Sequence, residues 1–297
     1  GLGRDGRPPV DVLFRLNPDV QPETHDALAV GRGASKFGLT ETELGLAVET
    51  AVAGDGAIRP RGVHVHVGSQ LAAIDAWRDA VRRGLAVVGL LRPGLPSFDT
   101  LDVGGGFPVP TLGGDGPSPK RFAREVPALV DAVPPDRRPS RFAIEPGRFL
   151  VARAGWLVGR VLHARDRGGR QIVLDAGMTE LIRPALYGAV HQVVALTVGG
   201  RALADRELAA GALGASAGLA LSVAEVHGPI CESTDALGSH VLPNLRRGDL
   251  VAIRDAGAYG ASQASTYNGR PRPPQVILTT SGELVLGRRR GTAAALG

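Results

Sequence analysis

Apolar residues recur at two spacings in the first half of the chain. Short apolar runs typical of buried strands alternate with longer stretches in which apolar residues return at helical spacing. The short runs cover 11–17, 62–69, 98–106 and 141–147, and the helical stretches cover 40–53, 74–92 and 120–133. One face of the second helix carries Ile74, Trp77, Ala80, Val81, Leu85 and Val88. Strands separated by helices in this way predict a parallel sheet.

The pattern changes after Val151. Six apolar runs follow with short connections, within 155–164, 170–177, 191–198, 221–228, 249–257 and 275–287. They predict an all-β domain, either a barrel or a sandwich. A Gly/Pro-rich loop at 109–119 and an Ala/Gly-rich stretch at 202–218 are predicted to be irregular. We therefore expect two domains, 1–151 and 152–297.

The first domain is too short for a whole barrel of strand–helix units. Four such units make half of an eight-stranded, TIM-type α/β barrel, and half a barrel leaves open sheet edges. We therefore expect 1–151 to be the C-terminal half of such a barrel. The chain begins with Gly1 rather than Met, and we expect a further segment in front of it.

Composition narrows the classes of partner. The chain has 297 residues and a net charge of +5; its 34 basic residues include only Lys36 and Lys120 as lysines, which leaves 32 arginines. These arginines are dispersed among acidic residues, which argues against a nucleic-acid partner. No apolar run reaches about 18 residues, so no membrane span is predicted. A single cysteine, Cys231, rules out an internal disulfide and favours a cytoplasmic location.

Three polar motifs follow strands of the predicted barrel, where barrel enzymes carry their catalytic groups. These motifs are His66-Val67-Gly68-Ser69, Gly104-Gly105-Gly106 and Glu145-Pro146-Gly147-Arg148. A glycine triplet lets backbone N–H groups approach a phosphate closely, although it is also compatible with a plain tight turn. Glu145 is suited to pair with a protonated ring nitrogen, and an ion pair to a neighbouring arginine, such as Arg148, is the alternative.

Two histidines alternate along one of these strands. His64 and His66 share a face, so they are candidates for metal ligands, for core residues or for rings that pack on a flat cofactor. No carboxylate-rich motif accompanies them in sequence, and no metal is predicted.

The second half contains two further candidate groups. Arg183 and Tyr187 are suited to bind a carboxylate, while a loop-stabilising arginine is the alternative. Cys231 and Glu232 place a thiol beside a carboxylate directly after a strand. The thiol is suited to donate a proton and the carboxylate to hold an ammonium group, while a small buried cysteine is the alternative.

The order of these motifs resembles that of one enzyme family. The segments GVHVHVGSQ, LDVGGGF, EPGRFLV, DAGMTELIRPALYGA, GPICESTDAL and AGAYGASQASTYNGRPRP resemble the fold-type III pyridoxal-phosphate decarboxylases, as do VLFRLNPDVQPETH and GRGASKFGL. The resemblance runs from about Val12 to about Leu278. Its best match is the branch that converts meso-2,6-diaminopimelate to L-lysine and CO2.

The resemblance implies a role for each motif. His66 would stack on the cofactor ring with Ser69 beside it, and Glu145 would hold the pyridine nitrogen. Gly104, Gly105, Gly106 and the backbone at Gly147-Arg148 would bind the phosphate, with Tyr259 closing on it. The distal end of the substrate would be bound by Arg148, Arg183, Tyr187, Glu232 and Tyr259. Cys231 would donate a proton in the site of a partner subunit, so the resemblance implies a homodimer.

The predicted substrate follows from the charges at its distal end. A second amino-acid group carries both a carboxylate and an ammonium, which require an arginine and a carboxylate respectively. Ornithine or arginine would need only an anionic site, so Arg183 favours diaminopimelate. A decarboxylase for ornithine or arginine remains the alternative, because Phe107-Pro108-Val109 also resembles other branches of the family.

The family also implies an element that this chain lacks. The lysine that forms the Schiff base with the cofactor lies on an earlier strand, before Val12, and neither Lys36 nor Lys120 matches it. We therefore expect that the isolated chain does not turn over substrate. Three interpretations remain: an incomplete decarboxylase, a non-catalytic homologue that binds or regulates a full-length enzyme, and a barrel enzyme of another class.

Overall fold

The computed structural model describes residues 8–22, 24, 29–31, 35–109, 116–212 and 218–292. The chain divides into two compact units. Of the described residues, those up to 149 belong to the first unit and those from 150 onward to the second. Parts of the loop expected at 109–119 and of the stretch expected at 202–218 lie outside the described residues.

The first unit is built from alternating strands and helices. Its strands are Val10–Leu16 (β1), Ile58–Val65 (β2), Thr100–Asp102 (β3) and Arg141–Ala143 (β4), and its helices are Glu41–Ala53 (α1), Asp75–Leu91 (α2) and Pro119–Asp131 (α3). The strands form one parallel sheet in chain order. The predicted strands, helices and parallel sheet are therefore confirmed, with end shifts of one to a few residues.

The helices pack against the sheet through the predicted apolar faces. All six residues expected on one face of α2 are buried in the core of the first unit. Helix α1 begins with a capping box, in which the Thr40 hydroxyl accepts from the backbone N–H of Glu43 while the Glu43 carboxylate accepts from that of Thr40. The indole N–H of Trp77 donates to the carbonyl of Val103 at 3.2 Å, which fixes α2 to the end of β3.

The second unit consists mainly of strands. They are Leu157–Asp166 (β5), Arg170–Leu174 (β6), Val193–Ala195 (β7), Thr197–Val198 (β8), Arg201–Ala202 (β9), Leu221–His227 (β10), Ala236–Pro243 (β11), Leu250–Ile253 (β12), Gln275–Leu278 (β13) and Leu284–Arg288 (β14). The largest sheet has six strands in the order β11-β10-β6-β5-β12-β7. It is mixed, because β10 and β6 run parallel while the other neighbours run antiparallel.

Four further helices are short. Gly147–Val151 (α4) contains the boundary between the two units, and Arg183–Tyr187 (α5), Asp205–Ala212 (α6) and Gly260–Gln263 (α7) lie in the second unit. Single 3-10 turns occur at Pro135–Arg137, Ala152–Ala154 and Tyr267–Gly269. In the described part of the chain, no helix has both the length and the apolar character to cross a membrane.

A buried carboxylate holds together two turns at one end of the larger sheet. Asp249, which is 1% exposed, accepts hydrogen bonds from the backbone N–H groups of Gly199, Gly200 and Arg246 at 2.7–3.0 Å. Its burial acts to raise its pKa, but these donors outweigh burial and hold the pKa of Asp249 below its ordinary value. The carboxylate therefore stabilises the folded state in its ionised form.

We expect Asp249→Asn to lower the free energy of unfolding by about 1–3 kcal/mol at pH 7, because a buried N–H loses its acceptor. A carboxyl whose pKa is lowered by folding stabilises above its unfolded pKa and loses this effect as pH falls through the folded value. The difference from the unmodified chain should therefore shrink below about pH 4. Urea unfolding at pH 7 and pH 3.5 measures both effects. The exposed Asp166→Asn is the control, and equal stability of the two variants would contradict this account.

Candidate active site

The first unit brings its predicted site residues together at the carboxyl ends of its strands. The register pairs Arg15 with His64 and His64 with Asp102. Residues in register point to one face of a sheet, and so do residues two positions along a strand. His66 lies two positions beyond His64. The sheet therefore assembles a polar cluster from segments that are far apart in sequence.

The glycine triplet packs tightly against the neighbouring strand ends. Gly104 and Gly106 have φ angles of +71° and +92°, which favour glycine. A Cβ at Gly104 would lie 2.2 Å from the carbonyl oxygen of Val65, and one at Gly105 would lie 2.3 Å from that of Glu145. No side chain fits there without a backbone shift, so the triplet is required for this close approach.

Side chains hold the triplet in place. The Gly104 N–H donates to Oδ1 of Asp102 at 2.8 Å, and the Gly105 N–H donates to Nδ1 of His66 at 3.2 Å. The carbonyl of Gly104 in turn accepts from the N–H of Glu145 at 2.9 Å. His66, the triplet and Glu145 therefore form one connected group, as expected for parts of a single site.

His66 presents an uncharged ring. Because Nδ1 accepts a hydrogen bond from Gly105, the proton of the neutral ring lies on Nε2. Burial, together with the charges of Arg15 and His64, lowers the pKa of His66 to about 4, although Glu145 acts to raise it. At neutral pH a flat, neutral imidazole therefore lies beside the glycine triplet.

Glu145 is open to solvent and has one described partner. Its side chain is 54% exposed, and Oε2 lies 3.2 Å from Nε2 of His64. The ring of His64 is nearly parallel to that of His66, with 6.4 Å between centroids. The ion pair described for Glu145 is therefore with His64, and the positive charge of Arg15 also acts on it.

Asp102 and Arg15 flank His64 in the sheet, and no sequence motif indicated either of them. His64, Asp102 and Glu145 each place one potential ligand atom within 4.8 Å of the others. No motif indicated this group because its members lie in, or shortly after, three different strands, and only the strand register brings them together. The oxygen of Asp102 accepts from Gly104 and that of Glu145 pairs with His64, so hydrogen bonds account for the cluster. The absence of a metal stays a prediction.

Arg148 and Ser69 lie together, also in the first unit. Arg148 is buried, and its Nη2 donates to Oγ of Ser69 at 2.9 Å. Gly147 precedes it at the start of α4, where a Cβ would meet no atom within 4 Å. There is therefore open space beside the α-carbon of Gly147.

In the second unit, Arg183 carries a buried positive charge. It is 3% exposed at the start of α5, and its guanidinium lies 5.4 Å from the ring of Tyr187 and 5.5 Å from that of Tyr259. Nε has no hydrogen-bond partner, and no described carboxylate pairs with the guanidinium. Burial lowers the pKa of Arg183, which the two tyrosines partly offset. This group is suited to receive an anion.

Tyr259 is held in an unusual conformation. Its φ of +66° is in the left-handed region, which costs a residue with a side chain about 1 kcal/mol or more. Gly257, two positions before Tyr259, lets the backbone approach Val151 closely, since a Cβ at Gly257 would lie 2.0 Å from the carbonyl oxygen of Val151. The residue is 42% exposed, and its ring lies beside Arg183.

Cys231 and Glu232 lie on an exposed turn between β10 and β11. Cys231 is a free, exposed thiol, so the alternative of a small buried cysteine is wrong. The hydroxyl of Tyr267 donates to Oε1 of Glu232, and this bond raises the pKa of Tyr267. Nδ2 of Asn268 lies 4.0 Å from Sγ of Cys231. No sequence motif indicated either of these neighbours.

We expect the pKa of His66 to be about 4, and we expect Arg15→Gln to raise it because a positive neighbour is lost. Histidine NMR titration measures this pKa, with assignment by His66→Asn. The control Arg59→Gln changes an exposed arginine of the same sheet that pairs with Asp11. A pKa near 6.5 that does not respond to Arg15→Gln would contradict the described electrostatics.

Comparison with known proteins identifies the family to which the chain belongs. Residues 4–152 match the family model of the pyridoxal-binding domain of pyridoxal-dependent decarboxylases. The chain is 37% identical to diaminopimelate decarboxylase of Deinococcus radiodurans over 94% of its own length and 64% of that protein. It therefore spans less than two thirds of this relative.

Solved structures of decarboxylases are also similar to this chain. Diaminopimelate decarboxylase of Helicobacter pylori, complexed with L-lysine, superposes with a TM-score of 0.82 at 28% identity, over 99% of this chain and 68% of that one. A lysine/ornithine decarboxylase of Vibrio vulnificus, complexed with cadaverine, has a TM-score of 0.65 at 27% identity, over 87% and 60%. The chain belongs to the family of pyridoxal-dependent decarboxylases, whose pyridoxal-binding domain it carries at residues 4–152.

Proposed function

We propose that the protein containing this chain decarboxylates meso-2,6-diaminopimelate to L-lysine and CO2 with pyridoxal 5'-phosphate. The observation that carries the choice of substrate is the buried guanidinium of Arg183, which no described carboxylate neutralises. A substrate that brings its own distal carboxylate supplies the missing charge, whereas ornithine or arginine does not. The relatives named diaminopimelate decarboxylase support the same choice.

The residues of the first unit fit the cofactor. The neutral ring of His66 offers a flat surface, and the exposed carboxylate of Glu145 suits a protonated pyridine nitrogen. The N–H groups of Gly104 and Gly105 already donate to Asp102 and His66, so the backbone N–H groups of Gly106 and Gly147 are the ones that would bind a phosphate. The chemistry that pyridoxal phosphate supplies when bound is an electron sink for the electron pair left at Cα when CO2 departs. Within the proposal, the first unit is the C-terminal half of a barrel.

The second unit supplies the groups that select and protonate the substrate. Arg183 would bind the distal carboxylate, with the hydroxyls of Tyr187 and Tyr259 completing its shell. Glu232 would face the distal ammonium group. Cys231 would give its Sγ proton to the carbon from which CO2 has left. Cys231 and Glu232 are exposed, as expected for groups that act in the site of a second copy, and we propose a homodimer.

The assay uses the complete product of the gene that encodes these residues, with pyridoxal phosphate and equal concentrations of meso-diaminopimelate, L-ornithine and L-arginine. We expect CO2 and L-lysine from diaminopimelate at a kcat/KM at least about 100-fold above the others, because only this substrate pairs the buried charge. A preference for ornithine or arginine would instead favour the alternative branch. No decarboxylation of any of the three would favour the non-catalytic homologue.

We expect Arg183→Met to weaken use of diaminopimelate while raising the Tm of the unliganded protein. A buried charge without a partner destabilises the fold, and an apolar residue of similar length does not. We expect KM to rise about tenfold or more, because one charge-assisted interaction is lost. The exposed Arg153→Met is the matched control. A loss of Tm together with unchanged KM would show that Arg183 is only structural.

The 297-residue chain by itself should not turn over substrate. Both of its lysines are exposed, and the amine of Lys36 lies 5.2 Å from the centre of the Phe37 ring. Neither amine forms a hydrogen bond or ion pair with a described site residue. An amine that attacks the cofactor is needed for fast exchange with the substrate. Mixing the chain with pyridoxal phosphate and diaminopimelate tests this expectation, and substantial lysine formation would contradict it.

A further inference from the structure

A buried carboxylate in the second unit joins two loops that carry candidate site residues. Asp235 is 2% exposed. Its Oδ1 accepts from the N–H of Met178 at 2.7 Å, and its Oδ2 accepts from the N–H of Ile230 at 2.7 Å. Met178 lies in the loop between β6 and α5, and Ile230 lies directly before Cys231. Each carboxylate oxygen therefore holds one loop.

The turn that carries Cys231 closes on the same residue. The backbone N–H of Gly228 donates to the carbonyl of Asp235 at 2.9 Å, and the N–H of Asp235 donates to the carbonyl of Glu232 at 3.1 Å. Main chain and side chain of Asp235 thus contact the turn at three points. Cys231 and Glu232 lie at its exposed tip.

Two glycines leave room for this carboxylate. A Cβ added at Gly177 would lie 2.3 Å from Oδ1 of Asp235, and one added at Gly228 would lie 2.2 Å from it. Both φ angles lie outside the left-handed region, so backbone conformation does not require glycine at either position. The space around Asp235 does require it, because a side chain there would displace the carboxylate.

A second set of contacts fixes the loop on the other side. Oε2 of Glu180 accepts from the N–H of Gly177 at 2.9 Å, and Oε1 lies 3.7 Å from Nε of Arg270. Arg270 also donates to the carbonyl of Asp175 at 2.5 Å. Arg270 follows the 3-10 turn whose Tyr267 contacts Glu232. The loop before α5 is therefore held independently of Asp235, and Asp235 fixes the turn to it.

We propose that Asp235 is the positioning residue of this site: its carboxylate sets the place of the Cys231–Glu232 turn relative to the loop that leads to Arg183. The roles of Cys231, Glu232 and Arg183 in this inference rest on the proposed function. Asp235 itself is buried and donates nothing to a substrate. It acts through the turn, so that a proton donor and an ammonium-binding carboxylate are presented in a fixed arrangement.

The substitution Asp235→Asn tests this role with little change of shape. Each of the two N–H groups donates to a different oxygen of the carboxylate, whereas an amide has only one oxygen and turns its NH2 group, which cannot accept, toward the other N–H. One buried N–H, that of Met178 or of Ile230, is then left without an acceptor. The link between the loop and the turn should break while the rest of the sheet remains.

The single thiol of the chain reports on this turn without cofactor or substrate. Iodoacetamide alkylates only Cys231, and its rate depends on the surroundings of the thiol. We expect Asp235→Asn to raise the alkylation rate at pH 7.5 by about threefold or more, toward the rate of a peptide with the sequence of residues 228–235. The reason is that a loosened turn no longer holds the thiol beside Asn268.

The matched control is Asp249→Asn, which removes an equally buried carboxylate from the other turns of the unit. It should lower stability but leave the alkylation rate unchanged. Equal rates in Asp235→Asn and the unmodified chain would overturn the proposal. An equal increase in both variants would also overturn it, because the thiol would then report general loosening.

A measurement on the unmodified chain keeps the proposal testable if Asp235→Asn does not fold. The amides of Met178 and Ile230 lie outside helices and strands, yet we expect them to exchange with deuterium about 100-fold more slowly than amides of the exposed loop at 167–169. Exchange as fast as in that loop would contradict the proposed anchoring.

The same variant separates this inference from the proposed function. In the complete gene product, we expect Asp235→Asn to lower kcat for diaminopimelate more than Asp249→Asn does, because a proton donor is misplaced. If the unmodified protein does not decarboxylate diaminopimelate but Asp235→Asn still raises alkylation, the proposed function fails and the positioning role stands. If activity is present and alkylation does not respond, the positioning role fails.

Discussion

Loops that carry functional residues leave backbone N–H groups inside the protein, and each of these groups needs an acceptor. In this chain, side chains provide the acceptors. Asp102 and His66 hold the glycine triplet of the first unit, and Asp235 and Glu180 hold the loops of the second. These side chains fix irregular backbone where sheet pairing has ended, and the arrangement of the candidate groups within each unit depends on them.

The two units each present one charged group in an unusual environment, and the two groups have opposite signs. Glu145 is an exposed carboxylate beside a neutral imidazole, an environment suited to a cationic ring nitrogen. Arg183 is a buried cation beside two tyrosine rings, which is unfavourable for the unliganded fold and suited to an anion. In the proposed function, a substrate with a carboxylate at its distal end would remove this unfavourable term on binding. The proposal thus implies that stability is given up where binding is needed.

The sequence predicted the elements of this chain better than the contacts among them. The buried face of α2 follows from local apolar spacing, and the parallel order of β1 to β4 follows from the alternation of strands and helices. Both patterns can be read from the sequence alone. The pairing of His64 with Glu145 and the approach of Arg15 depend on strand register, and no local pattern encodes register. Asp235 is part of the segment GPICESTDAL, but its role depends on a hydrogen bond from Met178, which is 57 residues away in sequence. The sequence likewise does not determine the exposure of Cys231, because the side chain of a turn residue can point to solvent or into the protein.

The central claim is that the buried guanidinium of Arg183 recognises a distal carboxylate, and the fate of the product tests it most directly. The complete gene product would be given meso-diaminopimelate labelled with carbon-13 in both carboxyl groups until the substrate is exhausted. We predict one labelled CO2 and one labelled lysine per substrate, with no further reaction, because lysine in the reverse orientation has no distal carboxylate to pair with Arg183. Accumulation of unlabelled cadaverine with a second labelled CO2 would contradict the account.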